Sequence, residues 1–591
     1  MAAAGVPSMI VTTATPRPTP ALRTVLLVAA LVALLIAVTR LPVAPRYLYS
    51  FDTVNFALAL DQFDPRLGQP QPPGYPLFIA EARLLRLFFG TPERTFVACG
   101  TLAGIAAPVL LFILGARMYS GWAGIAAALL LTLTPAFWHS TLASPLRPYL
   151  AVVTVLVAYL CHRSAGGEAR FAYFAAAALG LGAGWRPALL ALLFPLWLVC
   201  AWLGLRSLRR MCRALAVLAA AALTWFLPLV VVVGGPEALW ELLTGYLGEQ
   251  SQGSSPVYGA GFWEWWKMVT QVFVWEALAV VGWFWAALLL LLLPGRSRRG
   301  RRSAECGVRN AEYNPHSAFR IPHSNPAGPL PNWAFILLWV APAAIFFKLI
   351  HVASPGHTLS LVPALCLLGG AFLEWGAARA GQYLPRNYVP RWAFLAAALA
   401  VNVAFFTYPY RIPHARLQVR GTLPRVVEHF RFWGYFALRD TSYAPIRLED
   451  VRTGGRIGRL RALGDPSDLT IVWQDDDVSW RKIAYYFPKT PIWVIEGASG
   501  PGAVPAPLPY LWLYNRILEV PDRKPPVTVR LPAGRVAWLF HLHSPFPQEL
   551  RAQGVPLLQF GPLHLTDLRQ TPAQFRAGNF LFERMNSPQS H

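Results

Sequence analysis

The sequence predicts a polytopic α-helical membrane protein with about eleven transmembrane helices and a small extracytoplasmic α/β domain at its C-terminus. The 591-residue chain is 55% hydrophobic and 14% charged, with a mean hydropathy of +0.40, so it differs from ordinary soluble proteins. Many separate apolar runs approach the ~20 residues that a helix needs to cross a bilayer. Clusters of Arg lie between these runs, as expected for loops on the cytoplasmic side.

The positive charge of the chain points to a membrane rather than to nucleic acid. The formal net charge is +23, and Arg supplies most of the basic residues. Because many of them lie between apolar runs, the positive-inside rule accounts for their number. We therefore expect membrane lipids among the partners and no nucleic acid, and we expect a multi-pass protein of the cytoplasmic (inner) membrane.

The N-terminal part contains a tail, a first span and a long outer loop. Residues 1–20 are rich in Ala, Thr and Pro and are predicted to be disordered. The first span, Leu22–Leu41, opens a transmembrane domain that covers residues 21–408. The first outer loop, residues 43–94, includes Pro76–Phe89, whose three charges in a short apolar segment favour a helix lying in the membrane interface.

The Arg distribution decides how the remaining spans are oriented. If Pro76–Phe89 lies in the interface, every Arg cluster between spans falls on one side, with the N-terminus inside and the C-terminus outside. Counting that segment as a span would instead place Arg117 outside. The further predicted spans are Phe96–Ala116, Gly121–Trp138, Tyr149–Cys161, Phe171–Trp185, Ala188–Leu203, Ala214–Val233, Met268–Leu293, Trp333–Ile350, Thr358–Trp375 and Trp392–Tyr408.

Two segments differ in composition from the spans. Residues 296–331 are polar, contain a near-repeat around two His-Ser pairs, and are predicted to form a disordered cytoplasmic insertion. Residues 409–591 are predicted to form the extracytoplasmic α/β domain, because short apolar runs typical of strands flank a segment with helical spacing. The predicted strands are Leu469–Gln474, Pro491–Glu496, Val527–Leu531 and Arg535–Leu542, and the predicted helix is Ser479–Phe487.

The stretch directly after the first span carries a candidate catalytic acid, Asp52. Four prolines make the following part of the loop stiff, and Gly74 between them allows a tight turn, so the loop can hold groups at the membrane face. A carboxylate held there suits chemistry on a lipid-borne substrate. The alternative is that Asp52 only caps a short helix, Thr53–Leu60, which is a common use of Asp.

Two Arg residues are predicted on the same outer side, against the positive-inside bias. Arg147 lies in a Pro-flanked turn, and Arg186 lies in the sequence Gly-Trp-Arg-Pro. The planar guanidinium forms bidentate bonds with phosphate and keeps its charge, so Asp52 and the two Arg suggest a site for a phosphate-linked lipid. The alternative is that both side chains only extend to lipid headgroups.

These features resemble the bacterial GT-C membrane glycosyltransferases, the group of the protein O-mannosyltransferases and the lipid A aminoarabinose transferases. The resemblance covers roughly the first 410 residues. It is carried by Asp52, the Pro-Pro loop Gln71–Leu77, the Arg147-Pro148-Tyr149 turn, and the stretches Gly182–Pro187 and His351–Pro363.

The resemblance implies transfer of a sugar from a polyprenyl-phosphate carrier to a glycan, lipid or protein acceptor on the outer face, usually with inversion. Asp52 would be the general base, and Arg147 and Arg186 would stabilise the departing phosphate. His351 would contact phosphate or sugar. Tyr75, within the Pro-Pro loop, and Glu81, after it, are further candidate substrate contacts.

The sequence departs from this family in two respects. Gln71 stands where relatives often have His, and Asp52 lacks the neighbouring second acid that many of them carry. Asp61, Asp64 and Glu81 are the candidates for that second acid. No metal ligand is assigned, and a divalent metal remains an alternative.

Two other classes of function compete with the enzyme. A lipid or polysaccharide transporter (a flippase) would more often show repeated spans and charges at the bilayer midplane, whereas the notable charges here are predicted at one face. A non-catalytic envelope assembly protein would not need Asp52.

Overall fold

A computed structural model describes most of the chain. The described residues are 19–252, 255–285, 330–350, 354–380, 389–410, 424–465, 468–474, 477–495, 527–541 and 543–585. Most of the predicted N-terminal tail and of the predicted 296–331 insertion lies outside these ranges, as does His351.

The described residues up to 462 are mainly helical. In chain order they are α1 (Leu22–Arg40), α2 (Phe51–Asp61), α3 (Pro76–Phe89), α4 (Pro92–Met118), α5 (Gly121–Leu133), α6 (Pro135–Ala143), α7 (Pro148–Ala165), α8 (Arg170–Gly182), α9 (Ala188–Leu205), α10 (Leu208–Val233), α11 (Pro236–Gln252), α12 (Phe262–Ala277), α13 (Asn332–Leu349), α14 (Val362–Ala380), α15 (Val389–Thr407), α16 (Arg425–Asp440) and α17 (Tyr443–Ala462). Each predicted span overlaps one of these helices, and the polytopic α-helical fold class is confirmed.

Within the described residues, six helices are long and apolar enough to cross a membrane. They are α1, α4, α7, α9, α10 and α13. The bent pair α5 and α6 makes a seventh candidate, and three shorter apolar helices lie at Arg170–Gly182, Val362–Ala378 and Arg391–Thr407. The predicted span Met268–Leu293 coincides only in part with α12, and its end lies outside the described residues.

The predicted single span Gly121–Trp138 is broken into two helices. α5 ends at Leu133, and α6 begins at Pro135 with a bend of 53° between the two axes. Thr134 between them has ψ 128°, outside the helical range. The break has a local cause, because a proline disfavours helical backbone at the residue before it and cannot donate its own backbone hydrogen bond.

The chain folds into two compact units, each made of several segments. The first unit comprises Met1–Val43, Ala98–Pro228 and Leu247–Tyr443, and the second comprises Ala44–Val97, Leu229–Tyr246 and Ala444–His591. The residues of the first outer loop therefore fold in the same unit as most of the C-terminal part.

The core of the first unit is a helical bundle that buries large aromatic side chains. Trp197 on α9 and Trp339 on α13 are both fully buried. Their indole N–H groups donate to the carbonyls of Ala172, at 3.2 Å, and Ser360, at 3.1 Å, so burial leaves neither polar group unsatisfied.

Of the predicted α/β domain, residues 409–591, the part up to Tyr443 belongs to the first unit and the rest to the second unit. The strands of the second unit form two sheets. The strands are β1 (Leu469–Trp473), β2 (Ile492–Val494), β3 (Val527–Pro532), β4 (Arg535–Leu539), β5 (Leu558–Phe560), β6 (Leu563–Asp567), β7 (Gln574–Ala577) and β8 (Phe580–Met585), with helices α18 (Trp480–Tyr486) and α19 (Phe546–Ala552). The five-stranded sheet has the order β2-β1-β4-β6-β5, and the three-stranded sheet has the order β3-β8-β7. β2, β1 and β4 run parallel, and α18 connects β1 to β2. The small C-terminal α/β domain is thus confirmed as a fold.

Candidate active site

The predicted site residues are divided between the two units. Asp52, Tyr75 and Glu81 belong to the second unit, and Arg147 and Arg186 belong to the first.

Asp52 lies in the first turn of α2 and does not cap that helix. The N-cap is Ser50, whose hydroxyl accepts from the backbone N–H of Thr53 at 3.3 Å. The Thr53 hydroxyl in turn accepts from the Ser50 N–H at 2.8 Å, which completes a capping box. The helix begins at Phe51, so the alternative that Asp52 caps a helix from Thr53 to Leu60 is wrong. The Asp52 carboxylate is instead placed where the helix dipole favours a negative charge.

The far end of α2 is held by side chains from α3. Arg83 donates from Nε to the carbonyl of Leu60 at 3.0 Å and from Nη2 to the carbonyl of Ala59 at 2.9 Å. These carbonyls belong to the last turn of α2, where helical carbonyls lack partners within their own helix. Arg86 also forms an ion pair with Asp61 at 2.7 Å, so α3 fixes the C-terminus of the helix that carries Asp52.

The candidates for a second acid differ in their environments. Asp61 is paired with Arg86, and Asp64 forms a bidentate pair with Arg66, with N–O distances of 2.9 and 2.8 Å. Asp64 also caps the short helical turn Pro65–Leu67. Both acids are therefore engaged in ion pairs with neighbouring Arg side chains, whereas Glu81 lies half-buried on α3.

Tyr75 occupies an unusual backbone conformation at the start of α3. Its φ of 48° is positive, which is rare for an aromatic residue. The side chain is 6% exposed, and its ring meets that of Phe56 on α2 edge-on at 5.6 Å. Such a conformation persists only when the surrounding structure determines it, so the packing between α2 and α3 fixes Tyr75.

In the first unit, the turns that carry Arg147 and Arg186 touch each other. Arg147 immediately precedes α7, and Arg186 lies half-buried in the turn between α8 and α9. Tyr149, two residues after Arg147, stacks on Trp185, with ring centroids 6.2 Å apart and an interplanar angle of 14°. The structure therefore brings together the two Arg-bearing turns that the sequence placed on one side.

Gly356, which was not among the predicted site residues, contacts Arg147. Gly356 packs against the aliphatic part of that side chain. The next residue, His357, is buried and its ring stacks on Phe347 at 5.7 Å. Both residues lie in the stretch His351–Pro363, which carries part of the family resemblance. Within that stretch only His351 was predicted to contact phosphate or sugar.

A metal ion would be held by several His, Cys, Asp or Glu side chains of the described residues. No group of three or more His, Cys, Asp or Glu side chains among them is arranged to hold a metal ion.

Comparisons with known proteins identify the fold. No protein-family model and no curated protein matches the chain. Among solved structures, it is similar to ArnT from Cupriavidus metallidurans bound to undecaprenyl phosphate, with a TM-score of 0.51 and 15% identity over 92% of this chain and 98% of that one. It is also similar to ArnT from the same organism in the apo state, with a TM-score of 0.51 and 14% identity over 93% of this chain and 98% of that one. The similarity shows that this chain shares the fold of the two ArnT structures, so the fold that the resemblance implied is confirmed.

Proposed function

We propose that this protein is a membrane glycosyltransferase that moves a sugar from a polyprenyl-phosphate carrier to an acceptor on the outer face of the cytoplasmic membrane. The observation that carries the proposal is the similarity of fold to ArnT over 92% of this chain, in a structure that contains undecaprenyl phosphate. The acceptor is a hydroxyl group of a glycan, a lipid or a protein.

In this proposal Asp52 is the general base. It accepts the proton of the acceptor hydroxyl while that oxygen forms a bond to the anomeric carbon of the sugar. The bond between the anomeric carbon and the phosphate oxygen breaks, and polyprenyl phosphate leaves. Support comes from α2, which is fixed by the Ser50 cap at one end and by Arg83 at the other, because a catalytic group must be held in its productive geometry.

Arg147 and Arg186 bind the carrier phosphate and stabilise the charge that develops as it leaves. Support comes from the stack of Tyr149 on Trp185, which joins the two turns. The fork of an Arg side chain also matches phosphate in a way that a single ammonium does not. Tyr75, Glu81 and His351 are the further proposed contacts with substrate.

The proposal also places the protein in the membrane. The C-terminal α/β domain lies outside the cytoplasm, and α3 lies in the outer interface of the bilayer. Support for α3 comes from its exposed apolar side chains, of which Leu87 is 78% and Phe88 is 77% exposed. Such a helix, which also carries Arg83 and Arg86, is typical of the membrane interface.

Mass spectrometry of a deletion strain tests the function. We expect the strain to lose one sugar from its cell-surface glycans or lipids and to accumulate the corresponding polyprenyl-phosphate sugar. Loss of a whole surface polymer, with its lipid-linked form retained on the cytoplasmic side of the membrane, would indicate a flippase instead. Unchanged sugars together with a misassembled envelope would indicate an assembly protein.

A further inference from the structure

The backbone that leads into the Asp52 helix is held by side chains from the C-terminal part of the second unit. The N–H groups of Arg46 and Tyr47 donate to Asp450 Oδ1 on α17, at 2.8 and 3.0 Å. The N–H of Leu48 donates to the hydroxyl of Tyr486 on α18 at 3.0 Å. Consecutive residues are thus bound by groups about 400 positions away in the sequence.

The next residue of this segment is bound by a buried lysine. Lys482 on α18 donates from Nζ to the carbonyl of Tyr49 at 2.6 Å and forms an ion pair with Glu449. Its side chain is 2% exposed, and burial lowers its pKa while Glu449 and Asp450 act in the opposite direction. A buried ammonium requires its partners, so this contact fixes the Tyr49 carbonyl directly before the Ser50 cap.

Helix α18 also touches both α2 and the loop that follows α2. Arg481 is fully buried, donates to the carbonyl of Gly68 at 3.0 Å, and places its guanidinium 4.8 Å from the ring centre of Phe51. Phe51 is the first residue of α2 and the neighbour of Asp52. The Trp480 ring meets the Phe51 ring edge-on at 6.2 Å, so α18 contacts the start of the Asp52 helix from two directions.

We propose that Asp450, Lys482 and Tyr486 are positioning residues for sugar transfer, which hold residues 46–49 and thereby set the position of the Asp52 carboxylate. This inference rests on the proposed function, because it assigns the residues to the reaction in which Asp52 is the base. It gives the C-terminal part of the chain a role in the chemistry that no similarity to a known protein assigns.

The test compares three variants of the full-length protein in lipid nanodiscs. Asp450→Ala removes the acceptor of two backbone N–H groups, whereas Asp450→Asn keeps an acceptor oxygen. Asp567→Ala is the matched control, because Asp567 in the same unit also accepts a backbone N–H, that of Arg569 at 3.0 Å. Hydrogen exchange of residues 46–54 and the kinetics of sugar transfer are measured on each protein.

We expect the amides of residues 46–54 to exchange about tenfold faster in Asp450→Ala, since each lost bond destabilises the segment locally. We expect kcat to fall about tenfold or more, because small displacements of a catalytic group are costly. The KM for the donor should stay within about twofold of wild type. Asp450→Asn should restore both quantities toward wild type, and Asp567→Ala should change neither.

A second variant covers the case in which Asp450→Ala does not fold. Glu449→Gln combined with Lys482→Met removes the buried pair together, which avoids leaving one charge without its partner. Faster exchange of residues 46–54 with a lower kcat is again expected.

Asp52→Asn, measured in the same assay, separates the two proposals. If Asp52→Asn is inactive but Asp450→Ala keeps the wild-type kcat or the wild-type hydrogen exchange of residues 46–54, the positioning role is overturned. The proposed function then still stands. If Asp52→Asn transfers sugar normally, Asp52 is not the general base, and the positioning role fails with it. If the wild-type protein transfers no sugar, the proposed function itself fails.

Discussion

Gly356 lies so close to Arg147 that residue 356 has no room for a side chain. A Cβ built at Gly356 would stand 2.6 Å from the Cβ and 2.8 Å from the Cγ of Arg147. Real Cβ atoms essentially never come within 3.0 Å of a heavy atom outside their own residue and its chain neighbours, so any larger residue must displace the Arg147 side chain. The backbone itself would accept alanine, because Gly356 has φ −73°. The contact therefore sets the position of a proposed phosphate-binding group.

Gly356→Ala should reduce sugar transfer by about tenfold to a hundredfold, because it shifts the Arg147 guanidinium from the carrier phosphate. Gly121→Ala is the matched control, since a Cβ at Gly121, also in the first unit, would meet nothing within 4 Å. Transfer by the two purified proteins, compared at equal amounts of folded protein, gives the answer. Equal activity in both variants would show that the position of Arg147 does not matter.

Arg147→Lys should impair transfer nearly as much as Arg147→Ala. A point charge cannot reproduce the two parallel bonds of a guanidinium to phosphate. If Arg147 only extended to lipid headgroups, Lys would replace it freely, since both side chains reach the interface. Transfer is assayed over a range of polyprenyl-phosphate-sugar concentrations, and wild-type kinetics in Arg147→Lys would remove this residue from the site.

Two neighbouring glycines on α17 should respond to alanine in opposite directions. A Cβ at Gly454 would stand 2.7 Å from Cε2 of Tyr47, whereas one at the exposed Gly455 would meet nothing within 4 Å. Gly455→Ala should stabilise the second unit by about 0.5–1 kcal/mol through helix propensity, and Gly454→Ala should destabilise it by about 1–3 kcal/mol through overpacking. Unfolding of the purified proteins in denaturant measures both. Equal stabilisation by the two substitutions would contradict the contact between α17 and Tyr47.

Topology can be tested without an enzyme assay. The one-sided distribution of Arg predicts that residue 310 lies in the cytoplasm and residue 450 outside it. Reporter proteins fused at these two positions should therefore give opposite signals. Identical signals would contradict the predicted orientation of the spans and, with it, an outer-face site.

The sequence was sufficient for features that depend on local patterns. The long apolar runs located the candidate spanning helices, and the short apolar runs located β1, β2, β3 and β4 within a few residues, because buried segments are apolar in the sequence. The pattern of apolar residues was less informative in residues 424–465, where α16 and α17 were not predicted. α17 contains five arginines and three glycines among its exposed and buried positions, which weakens any apolar period.

Features that depend on contacts between distant residues could not be predicted. Ser and Asp are both good N-cap residues, so the sequence alone allows either Ser50 or Asp52 to cap α2. Ser50 is the cap because it forms reciprocal hydrogen bonds with Thr53. The bonds of Asp450 and Lys482 to residues 46–49 join positions about 400 apart, and no local pattern indicates them. The proposed sharing of one site by Asp52, Arg147 and Arg186 stays a prediction.

Asp52 can be compared with another acid on the same helix. Asp52 lies in the first turn of α2, and Asp61 at its end pairs with Arg86 at the surface, where an ion pair contributes little to stability. Asp61→Asn therefore changes the charge of the same helix by the same amount without touching the proposed base. Unfolding in denaturant shows whether both variants remain folded.

The most direct measurement is sugar transfer by purified Asp52→Asn and Asp61→Asn proteins from a polyprenyl-phosphate sugar. Asparagine keeps the size of the side chain but cannot accept the proton of the acceptor hydroxyl. We expect Asp52→Asn to lose transfer by about a hundredfold or more, while Asp61→Asn stays near wild type. Near-normal transfer by a folded Asp52→Asn protein would contradict the account.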